Sequence, residues 1–511
     1  MTRFHPQTTA LNQDACERAL DARDPRFDGL FFVGITTTRI YCRPVCPARV
    51  SHTDRRRFFD TAGAAERAGF RPCLRCRPEL APGRAPVDAV SRLVRAATSR
   101  IEAGALNGHS VDELATELGV SGRHLRRVLE REFGVSPGEL AQTHRLLLAK
   151  RLLADTCLPV TRIAFASGFQ SLRRFNAAFR EQYRMSPTTL RRSRVGTSPV
   201  RGGAAGPDAR RDTLRLTLAY RAPFDWRGLL VSLARDAIPG VECTDGHRYC
   251  RTVALDGRVG VVQVEDAGIP EGAARRPRQS SSHTHLDVEL SSSLVPVIMT
   301  LISRLRRLFD LDAEPLLIDA HLSATGMADL VRRRRGIRIP GSLDPFDAIV
   351  GQLVRSGARS VAEGDETVRR VVAALGEPVD TGHIAITHVT PTAARIAEAG
   401  ATGLLALGMQ RRAADTMAAV AAAVADGSLR LANGHDVNAT YDALVDLGVD
   451  SSPATMIVQR ALYWPDAFPV SDPSLLRSAR AGGARMLARR AERWRPWRAY
   501  AATHLSLAVT H

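Results

Sequence analysis

Residues 159–187, PVTRIAFASGFQSLRRFNAAFREQYRMSP, carry a helix-turn-helix pattern. Gly168 supplies the turn and Ser171 the cap of the second helix, on which Leu172, Phe175 and Phe179 recur at i, i+3 and i+7 as an inward face. Arg173, Arg174 and Asn176 are left to face outward. The pattern occurs again upstream, in residues 109–137, HSVDELATELGVSGRHLRRVLEREFGVSP. There Ser110 and Glu113 form a capping box, and Val111, Leu114, Ala115 and Leu118 mark one apolar face. Gly119 is the turn and Ser121 the next cap. Leu125, Val128 and Leu129 turn inward, and Arg123, His124, Arg126 and Arg127 lie among the outward positions. Between the two copies, Ser136-Pro137-Gly138-Glu139 opens a helix with a second capping box and proline at its first position. A charged helix face is ordinarily just a solvated one. Two copies of the turn and a net charge of +7 over residues 111–195 favour DNA readout instead, arginine suiting guanine and asparagine adenine.

The rest of the chain extends that reading. It is 511 residues long with net charge +18 and pI ≈ 10.6. At roughly 100–200 residues per domain, the length predicts three or four domains. Lys150 is the only lysine, so arginine carries nearly all the positive charge. Genome composition accounts for the arginine-to-lysine ratio but not for the excess of 18, which favours a polyanionic partner, nucleic acid before membrane. No apolar run is long enough to span a bilayer, and MTRFHPQTTALNQDACERAL lacks an apolar signal core. A cytoplasmic, nucleoid-associated location is expected. Eight cysteines are too few for a disulfide scaffold, so clustered ones point to metal or catalysis. Pro78–Pro86 and residues 196–212 read as linkers.

Four cysteines form one constellation: Cys42 and Cys46 in C-x3-C, Cys73 and Cys76 in C-x2-C. Paired thiolates at this spacing suit a tetrahedral Zn2+ site. Arginines flank every thiolate: Arg39, Arg43, Arg49, Arg71, Arg75 and Arg77. TTTRIYCRPVCPAR and AGFRPCLRCRPEL resemble the N-terminal domain of the Ada family of alkylation-response proteins, over roughly residues 14–80. The resemblance implies that Cys42 accepts a methyl group from a methylphosphotriester in DNA, and that Thr38, Arg49 and Arg71 contact the backbone; Arg43 is taken with them. Methylating one thiolate would reduce the site's negative charge and so raise its affinity for DNA. The stretch from Ile163 to Pro187 resembles the AraC-type DNA-binding domain, which implies promoter binding, transcriptional activation and a possible contact with RNA polymerase. The remaining cysteines, Cys16, Cys157, Cys243 and Cys250, have no paired spacing and read as core or surface residues.

The last 300 residues open with strand-like alternation in LRLTLAY, RYCRTVAL, VGVVQVED and HLDVELS, continue through a helix, LVPVIMTLISRLRRLF, and are helical from about 313. DTLRLTLAYRAPFDWRGLL, GIRIPGSLDPFDA, DAFPVSD and AERWRPWRAYAATHL resemble AlkA, the 3-methyladenine glycosylase of the helix-hairpin-helix superfamily. Asp472 matches that superfamily's catalytic aspartate; otherwise it reads as a helix cap. The resemblance implies base flipping and excision of alkylated bases, and with no lysine in this half the enzyme should be monofunctional. No PCHR-type motif occurs, so repair of O6-alkylguanine is not expected. The hairpin departs from the family's pattern: Asp450 stands where a glycine approaches phosphate, and Ser452, Met456 and Ser506 stand at aromatic positions. The alternative is a transcriptional activator whose glycosylase half is inert. The expected architecture is multidomain α+β: a zinc-bound α/β head (1–80), an all-α double helix-turn-helix domain (87–195), a linker (196–212), an AlkA-type α+β subdomain (213–312) and an all-α helix-hairpin-helix domain (313–511).

Overall fold

The head is ordered by short strands whose aromatic residues pack on one another. Helix α1 (Gln13–Asp21) precedes β1 (Phe32–Ile35), β2 (Ile40–Cys42), β3 (Arg56–Phe59), α2 (Ala62–Arg67) and β4 (Arg71–Pro72). These strands form one sheet in the order β3-β1-β2-β4. The β1–β2 pair is antiparallel, whereas β2 and β4 run parallel, with Tyr41 opposite Pro72. Edge-to-face contacts between Phe32 and Tyr41, and between Phe59 and Phe70, fill its core. Gly34 is the one residue small enough for its place on β1, since a Cβ there would lie 2.8 Å from the Phe59 and Phe70 rings.

The computed structural model describes residues 13–24, 27–48, 53–78, 81, 92–194, 213–268, 284–431, 436–479 and 482–508. Both expected linkers fall almost wholly outside these residues. The chain divides into two units, Met1–Arg221 with Ser291–Ser303, and Ala222–Leu290 with Arg304–His511.

In the first unit, the described residues after the head form helices α3 (Arg92–Glu102), α4 (Val111–Glu117), α5 (Gly122–Phe133), α6 (Pro137–Asp155), α7 (Val160–Ala166), α8 (Leu172–Tyr183) and α9 (Pro187–Arg194). Both predicted capping boxes form, at Ser110–Glu113 and Ser136–Glu139. Ser121 and Ser171 cap α5 and α8. The turn glycines Gly119 and Gly168 sit at φ +70° and +85°, a region side chains resist. Phe175 and Phe179 are fully buried and pack in series with Tyr183 as tilted rings, while Leu172 is only half-buried at the first turn. Strand β5 (Thr213–Ala219) also belongs to this unit.

The second unit begins with α10 (Trp226–Asp236) and an antiparallel meander, β6 (Glu242–Thr244), β7 (Arg248–Leu255), β8 (Arg258–Asp266) and β9 (His285–Ser291). The expected single helix over 294–309 is divided. Ser292–Val297 forms a 3-10 turn around Pro296, and the α-helix starts only at Ile298 (α11, Ile298–Leu308). Proline disfavours α-helical backbone at the residue before it, Val295, so the α-helix begins only beyond Pro296. From Pro315 onward the unit is helical: α12 (Pro315–Leu322), α13 (Ala328–Arg333), α14 (Pro345–Leu353), α15 (Val361–Leu375), α16 (Ala393–Ala406), α17 (Arg411–Ala425), α18 (Val437–Asp446), α19 (Ser451–Leu462), α20 (Pro473–Ser478), α21 (Ala484–Ala491) and α22 (Arg498–Leu507). A core that includes Ile349, Val371, Ile396, Met417 and Ile457 joins α14 to α19.

Candidate functional site

The parallel β2–β4 pairing builds the thiolate cluster. It carries Cys42 at the end of β2 alongside Cys73, the residue after β4. The turns that follow each strand return Cys46 and Cys76, so that all four sulfurs lie within 4.8 Å of one another. Sulfur-to-sulfur hydrogen bonding, with Cys46 first, pushes the Cys42 thiol well up; the same contact, through Cys42, lowers Cys46 to about 7. Four thiolates this close repel one another, and a tetrahedral dication is the group that fits the donor set.

The four sulfurs are not equivalent. As whole residues Cys46, Cys73 and Cys76 are buried and Cys42 is half-buried, while the four sulfurs are enclosed together in the cluster. Each buried sulfur accepts a backbone amide: Cys73 from Arg75 at 3.3 Å, Cys76 from Arg43 at 3.4 Å, and Cys46 from Ala48. Among the described residues no backbone amide is directed at Cys42. An N–H···S bond withdraws charge from a thiolate, so Cys42 keeps the most available lone pairs.

The flanking arginines divide into two groups. Thr38, Arg39 and Arg75 are exposed and Arg71 is half-buried at the sheet edge. Arg43, expected beside them, turns inward instead: its Nε donates to Asp28 Oδ1 at 2.8 Å, its Nη2 pairs with the other Asp28 oxygen, and its Nη1 donates to the Cys76 carbonyl at 3.3 Å. Arg77 makes two bonds to Asp155, at 2.6 and 2.7 Å, tying the head to the end of α6. Arg49 lies outside the described residues.

Sequence reasoning missed the heart of that junction. Lys150, on α6, is fully buried and its Nζ donates to the carbonyl of Cys73 at 2.8 Å. Glu66, on α2, receives the Tyr41 hydroxyl at 3.0 Å and the Thr143 hydroxyl at 2.6 Å. Burial raises Glu66 to about 7 even though Thr143, Tyr41 and Lys150 each oppose the shift. The Lys150–Cys73 and Thr143–Glu66 contacts each span 77 residues, which leaves no local signal for either.

Of the outward residues on α5, Arg123 and Arg127 are exposed, and Arg127 Nη2 lies 3.2 Å from His124 Nδ1. Arg126 is engaged by Asp112 through two bonds, at 3.2 and 3.0 Å. On α8, Arg173 and Arg174 are exposed and Asn176 is half-buried.

In the second unit, Asp472 caps α20. Its Oδ1 accepts the amides of Ser474 and Leu475, at 2.7 and 3.2 Å, and the Ser474 hydroxyl at 2.5 Å. All three bonds fall on one oxygen of a half-buried carboxylate. Arg235 is within electrostatic reach of it: the neighbouring Asp236 raises the Arg235 guanidinium, and Asp472 adds to the effect. The hairpin between α18 and α19 turns at Gly448, and Asp450 opens α19 without capping it. Instead, Asp450 Oδ1 accepts Arg412 Nη2 at 2.7 Å on the exposed surface. The carboxylate that stands at the glycine position is therefore paired with a cation from α17. Ser452, Met456 and Ser506 are half-buried.

Three family descriptions match the chain: "Metal binding domain of Ada" over residues 15–79, "Helix-turn-helix domain" over 114–193 and "AlkA N-terminal domain" over 215–344. A Mycobacterium tuberculosis protein named "Probable bifunctional transcriptional activator/DNA repair enzyme AlkA" is 36% identical over 508 residues, 98% of this chain and 97% of its own. DNA-3-methyladenine glycosylase 2 of Escherichia coli is 33% identical over 295 residues, 57% of this chain and 95% of its own. The Escherichia coli "Bifunctional transcriptional activator/DNA repair enzyme Ada" is 32% identical over 149 residues, 29% of this chain and 40% of its own. No helix among the described residues is long and apolar enough to cross a membrane.

Proposed function

The chain belongs to the family of bifunctional transcriptional activator/DNA repair enzymes that join an Ada-type metal-binding domain, a helix-turn-helix domain and an AlkA-type glycosylase domain, and on that premise we propose that it both senses and repairs alkylated DNA in the cytoplasm. Cys42 Sγ attacks the methyl carbon of a methylphosphotriester. An S–C bond forms, the C–O bond to the phosphate breaks, and the electron pair stays on the phosphate oxygen as an ordinary diester anion. Zn2+ held by Cys42, Cys46, Cys73 and Cys76 keeps the sulfurs deprotonated at neutral pH. The observation that carries the assignment is the unequal hydrogen bonding of the four sulfurs: among the described residues, Cys42 is the one toward which no amide is directed. Thr38, Arg71 and Arg49 are the groups assigned to the flanking phosphates. Arg43, held by Asp28, acts inward as a brace for the Cys76 turn.

The two helix-turn-helix copies read promoter DNA through Arg123, Arg127, Arg173, Arg174 and Asn176, with His124 and Arg126 at the edge of the same surface. The second unit removes alkylated bases. Asp472 opposes the positive charge that develops on the sugar as the N-glycosidic bond breaks, and water completes the hydrolysis. Lys150 cannot serve a Schiff-base route because it is buried against the Cys73 carbonyl, which supports a monofunctional enzyme.

An excision assay on methylated duplex DNA tests the catalytic reading. Wild-type protein should release 3-methyladenine and Asp472→Asn should lose at least 100-fold in rate, about what removing one electrostatic group from a transition state costs. No release from either protein would mean that the second unit is an inert DNA-binding module. Mass spectrometry after incubation with methylphosphotriester DNA should place a single added methyl on Cys42, and Cys42→Ser should take none.

A further inference from the structure

The second unit carries a cluster that neither methyl transfer nor base excision uses. Cys243 on β6 and Cys250 on β7 stand directly opposite each other in the antiparallel register. Opposed residues in such a pair have Cβ atoms roughly 4.5–5.5 Å apart, and these two sulfurs are within hydrogen-bonding reach. The third member is His383, in the turn between α15 and α16.

That turn is fixed to the chain entering β6. The Gly240 carbonyl accepts the amides of Thr387, at 2.7 Å, and His388, at 3.0 Å, and Gly240 bridges Ile386. The buried Thr381 hydroxyl donates to the Ile386 carbonyl at 2.5 Å and accepts the His383 amide at 3.0 Å. A donor atom from each of Cys243, Cys250 and His383 consequently lies within 4.8 Å of the other two. The Ala385 amide donates to His383 Nδ1 at 3.2 Å, and the single lone pair of the neutral ring is the one an ion would take in place of that amide. Cys250 is buried while Cys243 and His383 are half-buried, which leaves a path from solvent. The carboxylates nearest in sequence are already committed, Glu242 to the Ile238 amide at 3.1 Å and the Tyr249 hydroxyl, Asp245 to the amides of His247 and Arg248 at 2.9 and 2.7 Å.

We propose that Cys243, Cys250 and His383 bind a second divalent cation of the zinc class, with a water molecule as the fourth ligand. Two thiolates and an imidazole select a borderline-soft ion with tetrahedral preference over magnesium or calcium, which require oxygen donors. Binding expels the two thiol protons, and the dication neutralises the resulting dithiolate. The ion ties the β6–β7 hairpin to the α15–α16 turn, so it acts as a staple between the strand and helical parts of this unit.

The test is metal content of the full chain, purified under reductant and dialysed against a weak chelator, with Zn2+ as the probe. Wild type should retain one zinc equivalent more than Cys243→Ser and one more than His383→Ala, whatever the occupancy of the head. His383 lies in a surface turn, so its variant keeps the measurement interpretable if the cysteine variant misfolds. Replacement of zinc by Co2+ should add a thiolate-to-cobalt absorption band in wild type that His383→Ala lacks. Equal zinc and equal cobalt spectra in wild type and His383→Ala would overturn the proposal. So would a Cys243–Cys250 disulfide found by mass spectrometry in the reduced preparation.

Discussion

Replacing Lys150 with methionine should loosen the metal-bearing head without removing a metal ligand. The ammonium is fully buried, and its bond to the Cys73 carbonyl is 2.8 Å long. Losing a charge-assisted bond costs about 1.5–3 kcal/mol. Breaking a buried ionic group away from its counter-charge costs about 3–5 kcal/mol. The second figure is a ceiling here, because Glu66 already stands at about 7 and can escape its charge by taking a proton. The expected loss is thus about 2–4 kcal/mol, or a fall of roughly 1–2 M in the urea midpoint of the first unit. The pH dependence is the diagnostic part. The Glu66 carboxyl is raised from 4.5 to about 7, so its contribution to stability is fully present below pH 4.5 and lost as pH rises through 7. Lys150 is one of the groups that favour the carboxylate, so without it the folded value climbs and the loss extends to higher pH. Lys150→Met should be hurt more at pH 8 than at pH 6, and Glu66→Gln added to it should restore part of the difference. Urea titrations with zinc release as the probe measure both. A midpoint unchanged from wild type, or an equal loss at the two pH values, would show that the Lys150–Glu66 junction does not hold the head as described.

The hairpin makes a second prediction. Asp450→Gly should raise affinity for undamaged duplex DNA and steepen its salt dependence, because it frees Arg412 for a phosphate; one added contact changes the slope by about 0.9. An unchanged slope would mean that this hairpin stays away from the strand. In the core of the same unit, Asp310 accepts the Tyr500 hydroxyl at 2.8 Å, the Tyr463 hydroxyl and the Ile339 amide at 3.1 Å, yet burial raises it from 3.8 to about 7. Its contribution is present below pH 3.8 and lost as pH rises through 7, at about 1.4 kcal/mol per pH unit. Thermal unfolding of Asp310→Asn should therefore show a flatter pH profile between 4 and 7 than wild type, and an identical profile would count against the assignment.

What the sequence disclosed and what it withheld follow from the range of the interactions involved. Capping boxes, turn glycines and the i, i+3, i+7 aromatic face are all local, and the helix-turn-helix pair formed where its residues predicted. The strand HLDVELS was legible for the same reason, since alternation is a property of neighbours. The four head cysteines were legible because each pair closes within one turn. The single helix over 294–309 is divided at Pro296, where hydrophobic periodicity outvoted the restriction that proline places on the residue before it. Cys243 and Cys250 show the boundary most clearly. Six residues separate them, a spacing that says nothing by itself. They become neighbours only because the β6–β7 register sets 243 against 250, and a slip of one residue would send them to opposite faces of the sheet. The same applies to charge. Arg43 and Arg71 are indistinguishable as arginines beside cysteines, and only the position of Asp28 turns the first into an internal brace while the second stays at the sheet edge. Motif spacing can nominate the sulfur chemistry of this chain, but which arginines are free to meet DNA is decided by carboxylates that lie far away in sequence.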